Sequence, residues 1–172
     1  MRNKIVLIND SLQEANIMMT KLEQIAQEKS TPECQFEFVF LQGTEEGEIS
    51  HEPYLFYKED VIDQIKDLAQ NVQLGERICL LLDFMLQEKD YINVLNSNYP
   101  KIELAKKIYY QFRKKMPIYM FSRSPWFATK CDVIMGANLS NQFITRDALV
   151  RYNNQDAINK MFEFYSEDMD NI

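Results

Sequence analysis

Short, unbroken apolar runs alternate along this chain with longer stretches in which apolar residues recur every three or four positions. The first run is Ile5 to Ile8, stopped by Asn9 and Asp10. A second, Ile78 to Leu82, is closed by Asp83. Continuous apolar runs of this length predict strands buried on both faces, as in a parallel sheet. Gln35 to Leu41 predicts a further strand, as do Met116 to Phe121, ending at Ser122, and Gln142 to Thr145. Between them lie helical stripes. Ala15, Met18, Leu22 and Ile25 mark a helix over Ser11 to Lys29, with Ser11 and Glu14 spaced as a capping box. Val61, Ile62, Ile65 and Leu68 mark Lys58 to Val72, stopped at Gly75. Leu104, Ala105, Ile108 and Phe112 mark Ile102 to Lys115. Ser124 followed by Pro125 opens a helix that Gly136 stops, near Met135. Gln155 to Tyr165 forms the last helix, before a tail expected to fray.

Five strands alternating with five helices imply an α/β fold. The expected form is a doubly wound, five-stranded parallel sheet of order 2-1-3-4-5 with helices on both faces, a three-layer α/β/α sandwich. Two stretches are longer than ordinary connections, Gly43 to Tyr57 and Glu88 to Pro100, and both are expected to be polar loops. No linker or internal repeat divides the chain, so residues 1–172 are expected to be one domain.

Composition narrows the function classes. A net charge of −7 argues against general nucleic-acid binding, which needs a basic surface. No stretch approaches the roughly 20 apolar residues of a membrane span. The apolar run near the N-terminus is too short for a signal peptide. Cys34, Cys79 and Cys131 form no CxxC pair, which points to a reduced, cytoplasmic protein. The four glycines make neither a dinucleotide fingerprint nor a Walker A loop, and no GxSxG elbow is present.

The candidate chemistry lies at the strand ends. In the order 2-1-3-4-5 the first and third strands are neighbours and the switch point lies between them, where ligands of open α/β sheets bind. Asp10 and Asp83 would converge there. Two close carboxylates repel, and a Mg²⁺ held by them, with water completing its shell, would relieve this. The backbone carbonyl of Met85 is a candidate third ligand. Ser122 and Arg146 end the fourth and fifth strands at the same edge. A cation, a carboxylate nucleophile, a hydroxyl and a fixed positive charge suit phosphoryl transfer.

This layout resembles the receiver domain of bacterial response regulators over nearly the whole chain. Asn9-Asp10 stands where that family has its acidic Mg²⁺-binding pair, and Asp83 in LLLDFML where it has the phosphoacceptor. MPIYMFS resembles the strand ending in the switch hydroxyl, which puts Ser122 there. FITRD resembles the aromatic-x-x-Lys-Pro segment, with Phe143 as the switch aromatic and Arg146 at the lysine. The resemblance implies a stand-alone, non-enzymatic signalling protein phosphorylated at Asp83. Mg²⁺ would sit on Asp10, Asp83 and the Met85 carbonyl, with Asn9 reached through water. Its partners would be a sensor histidine kinase or a phosphotransfer protein. A downstream protein, or a second copy as a homodimer, would use the last two helices and the fifth strand.

Departures from the pattern support an alternative. Asn9 replaces an acid, Arg146 replaces the lysine and brings a planar fork in place of a compact ammonium, and Asp147 and Gln87 stand where prolines are usual. The alternative is a pseudo-receiver that is not phosphorylated and acts as an interaction or dimerisation module. An unrelated enzyme on a flavodoxin-like scaffold is the third class considered.

Overall fold

The computed structural model describes residues 2–84, 86, 102–122, 130–133, 135–139, 141–151 and 156–166. Its main sheet has five parallel strands in the order β2-β1-β5-β6-β7. These are β1 (Arg2–Ile8), β2 (Gln35–Phe40), β5 (Glu76–Asp83), β6 (Ile118–Ser122) and β7 (Phe143–Thr145). The helices are α1 (Leu12–Lys29), α2 (Asp60–Gln70), α3 (Glu103–Phe112), α4 (Arg146–Arg151) and α5 (Asp156–Phe162), with a further helical piece at 130–133. The architecture is α/β and compatible with the flavodoxin-like class.

The apolar runs form central strands because both their faces are covered. Val6, Ile8, Leu80, Leu82, Ile118 and Met120 point to one side, where they meet Val61 and Ile65 of α2 and Leu104, Ile108 and Phe112 of α3. The alternate residues Ile5, Leu7, Cys79, Leu81, Tyr119 and Phe121 point to the other. There they meet Ala15, Met18 and Leu22 of α1 and Ile158, Met161 and Phe162 of α5. The two-residue side-chain period of a strand thus divides the core into two clusters.

Three expectations change. Gly43 to Tyr57 is not a plain loop: β3 (Glu45–Ile49) and β4 (Glu52–Phe56) pair as an antiparallel hairpin. Its turn is Ser50-His51, with φ of 50° and 68°. Two positive φ values in a two-residue loop match the strand twist that favours primed turns. The chain therefore has seven described strands rather than five. The second change is α4, which starts directly after β7. The Ala148 N–H donates to Thr145 Oγ1 at 3.1 Å, so Thr145 caps this short helix. The third concerns the capping box of α1. Ser11 Oγ accepts from the Glu14 N–H at 3.2 Å as expected, but the Ser11 N–H donates to Asn9 Oδ1 at 3.0 Å. The asparagine before the helix takes the donor that the box would give to Glu14.

The expected loop at 88–100, the start of the helix after Ser124, and Met85 lie outside the described residues. Among the described residues, no helix is long and apolar enough to cross a membrane. Cys34, Cys79 and Cys131 are all free thiols.

Candidate functional site

The carboxyl edge of the sheet gathers the residues singled out from the sequence. β1 pairs with β5 up to Ile8 opposite Leu82, so Asn9-Asp10 and Asp83 leave adjacent strands side by side. Asp83 lies opposite Phe121 on β6, and the Phe84 N–H donates to the Phe121 carbonyl at 2.8 Å. Ser122 follows at the end of β6, opposite Thr145. Arg146 is the next residue, at the start of α4. Asp10, Asp83, Ser122 and Arg146 therefore stand at one edge on four adjacent strands.

Their environments differ. Asp10 is 2 % exposed and Ser122 4 %, whereas Asp83 is half-buried and Arg146 exposed. Phe143 is buried and meets Phe84 edge to face, with ring centroids 6.1 Å apart. It packs with the core cluster that includes Leu82 and Met120. An inward aromatic at the first position of β7 is a core residue first, and any switching would have to displace it from Phe84.

Asn9 faces inward. Its Oδ1 holds the Ser11 N–H, and its Nδ2 lies 3.5 Å from Met18 Sδ. At 1 % exposure its amide helps to order the start of α1. The backbone of Asn9 is fixed as well. Its N–H donates to Tyr57 Oη at 3.1 Å, and the single hydroxyl proton of Tyr57 has the Leu41 and Asn9 carbonyls as its acceptors.

Two tyrosines missed by the sequence reading belong to this site. Tyr54, on β4, is half-buried, stacks on Phe56, and forms a bridge with Ser11. The Leu55 N–H donates to the Asp10 carbonyl at 2.9 Å, which fastens the hairpin to the end of β1. The Tyr54 phenol is pushed above its ordinary range by burial first, then by the charges of Asp10, Glu52 and Asp83, while a hydrogen bond with Ser11 pulls the other way. Tyr57 is raised further, chiefly by burial, with Asp10 and Asp83 adding to it and its bond with the Asn9 backbone opposing. Both phenols thus feel the same two carboxylates. The only available signal was the spacing of Tyr54 and Phe56 two apart in EPYLF, a one-faced strand pattern too short to stand out.

The residues fit a small hard cation. Asp10 and Asp83 offer carboxylate oxygens from neighbouring strand ends, and Mg²⁺ is commonly held by one or two carboxylates with water filling its remaining positions. Met85, the candidate third ligand, lies outside the described residues. Among the described residues, no group of three or more His, Cys, Asp or Glu side chains gathers to hold a metal by itself. No family model, curated protein or solved structure matches this chain.

Proposed function

We propose that the chain is a receiver-like signalling module in which Asp83 accepts a phosphoryl group. The observation that carries this reading is the meeting of Asp10, Asp83, Ser122 and Arg146 at the carboxyl ends of four adjacent parallel strands. The inserted hairpin apart, the sheet would correspond to the doubly wound order 2-1-3-4-5, with helices as outer layers on both faces. In that scheme the switch point falls between β1 and β5, where the two carboxylates lie.

In the proposed step a carboxylate oxygen of Asp83 attacks the phosphorus of a phosphohistidine or of acetyl phosphate. A P–O bond to Asp83 forms as the P–N or P–O bond to the donor breaks, and the imidazole or acetate leaves. Ser122 would hydrogen-bond a phosphoryl oxygen, and Arg146 would supply fixed positive charge from the start of α4. Mg²⁺ on Asp10 and Asp83 would neutralise charge that the two carboxylates otherwise set against each other. A sensor histidine kinase or a phosphotransfer protein would be the donor. A downstream protein would read the surface of α4, α5 and β7.

The second reading, a pseudo-receiver acting by contact alone, draws on two specific observations. The Asn9 amide is engaged inward with Ser11 and Met18, and the hairpin is bonded onto Asp10. Intact mass after incubation with Mg²⁺ and acetyl phosphate separates the two. A Mg²⁺-dependent gain of one phosphoryl group on the wild type, absent from Asp83→Asn, is the expected result. No gain on the folded wild type overturns the phosphoacceptor reading and leaves the interaction module.

A further inference from the structure

The opposite edge of the sheet holds a cavity of about 700 Å³. It lies where β5 begins, beside the end of α2 and the chain entering β6. Strands rise about 3.3 Å per residue, so the stretch from Ile78 to Asp83 sets it about 16 Å from the carboxylate edge. Its size is that of small-molecule sites, which run from about 300 to 1,000 Å³.

The lining divides by chemistry. Ile78, Phe112, Met116 and Phe164 give it apolar walls, and all four are buried. Lys66, Arg77 and Lys115 bring three positive charges to it. Arg77 is held from several sides: its Nε donates to Asn3 Oδ1 at 2.9 Å, and its guanidinium lies 4.7 Å from the Phe164 ring centre. Lys115 is held near the Phe112 ring, its Nζ 5.8 Å from the centroid. Glu76, the one carboxylate among the described lining residues, is answered by Lys4 at 3.7 Å and by Arg2 at 4.0 Å. In a chain of net charge −7, this cavity is a local inversion of sign.

We propose that this cavity binds an amphipathic organic anion, its apolar body against Phe112 and Met116 and its head among Lys66, Arg77 and Lys115. Among the described lining residues, three cations stand against one carboxylate that is itself paired, and a carboxylate or phosphate head would complement them. The apolar walls would favour the tail by about fourfold in affinity for each buried methylene. The proposal goes beyond the phosphoacceptor reading, and neither depends on the other.

The experiment is a titration of the full chain with octanoate, octyl phosphate and neutral octanol, followed by the ¹H–¹⁵N shifts of Ile78, Phe112 and Met116. The expected result is saturable binding of both anions at those residues, with octanol at least tenfold weaker. Octanoate and octyl phosphate together tell a carboxylate preference from a phosphate preference. Lys66→Gln with Lys115→Gln is expected to weaken the anions at least fivefold and leave octanol unchanged. Ala69→Phe, which fills the cavity from α2, is expected to abolish binding of all three. Octanol binding as tightly as octanoate overturns the proposal. So does anion affinity indifferent to the two lysines, or the absence of saturable shifts at these residues in the wild type.

Discussion

The backbone N–H of Leu55 donates to the carbonyl of Asp10 at 2.9 Å. This one bond joins the inserted hairpin to the residue at the tip of β1, and it sets Tyr54 beside the two carboxylates. The site at the sheet edge is therefore built from two phenols as well as the acids.

The phenol of Tyr54 reports on both acids. Removing either negative charge removes a cause of its upward shift, so Asp10→Asn and Asp83→Asn are each expected to lower it. Ser11→Ala deletes the one interaction that opposes the shift and is expected to raise it further. The titration of Tyr54, followed by ¹³C NMR of its ring, measures all three. An unmoved phenol in both Asp variants would separate Tyr54 from the site.

Gly43 has a different constraint. A Cβ built there would lie 2.2 Å from the Leu55 carbonyl oxygen and 2.5 Å from that of Phe56. Those atoms are backbone of β4, so they cannot turn aside. Gly43→Ala is expected to displace the hairpin and destabilise the fold by about 1–3 kcal/mol. Urea unfolding measures the loss, and the amide shift of Leu55 should move with it.

Ser11 caps α1 through the Glu14 N–H. Ser11→Ala leaves that donor without its side-chain acceptor and is expected to cost about 1 kcal/mol. Chemical denaturation gives the value. Ser11→Asp, which restores a cap acceptor, is expected to recover part of it, less the repulsion from Asp10 and Asp83.

The three cysteines should separate by reactivity. Cys79 and Cys131 are fully buried, and burial pushes the Cys79 thiol up strongly and that of Cys131, with Asp132 adding to it, to about 12. Cys34 is half-buried and accepts a hydrogen bond from Asn3. Iodoacetamide at pH 8 is expected to modify Cys34 first, with the other two on the order of a hundredfold slower until the protein unfolds. Peptide mass mapping over time reads the order.

The same buried groups set a limit on the alkaline side. The Cys79 and Cys131 thiols and the Tyr57 and Tyr119 phenols all have folded values above their unfolded ones. The unfolded chain loses its protons first, from about pH 8.5 for thiols and about pH 10 for phenols. Their contribution is therefore complete below pH about 8.5 and declines as pH rises, by at most about 1.4 kcal/mol per pH unit for each group. The Tm should fall above pH about 9, and Cys79→Ala should make that fall shallower.

The central strands were legible because nothing but a doubly covered strand tolerates a run such as ICLLL. Helix α1 was legible from its stripe and its serine cap. The hairpin was not, because both strands are short, EEGEI is rich in glutamate and EPYLF carries a proline. Their pairing is closed by Ser-His, without the glycine that usually announces such a turn. Helix α4 escaped for a similar reason, since its six residues are too few for a periodic stripe and only Thr145 marks the start. In the site, Asp10, Asp83, Ser122 and Arg146 followed from a simple rule, that parallel strands end at the same edge. The inward turn of Asn9 depends on Met18, and the place of Tyr54 on a strand pairing. Neither is a local property of the chain.

One oxygen, that of Tyr57, bonds to the Asn9 backbone past the end of β1 and to the Leu41 backbone past the end of β2. Tyr57 also leads out of the hairpin towards α2. Three passages of the chain are riveted at a single atom, so none of them can drift alone. A pull on the turn at Ser50-His51 runs down two paired strands to that rivet and to Leu55, and arrives at the peptide beside Asp10. The insertion is thus anchored through main-chain atoms at the end of β1, while its turn stands in open water.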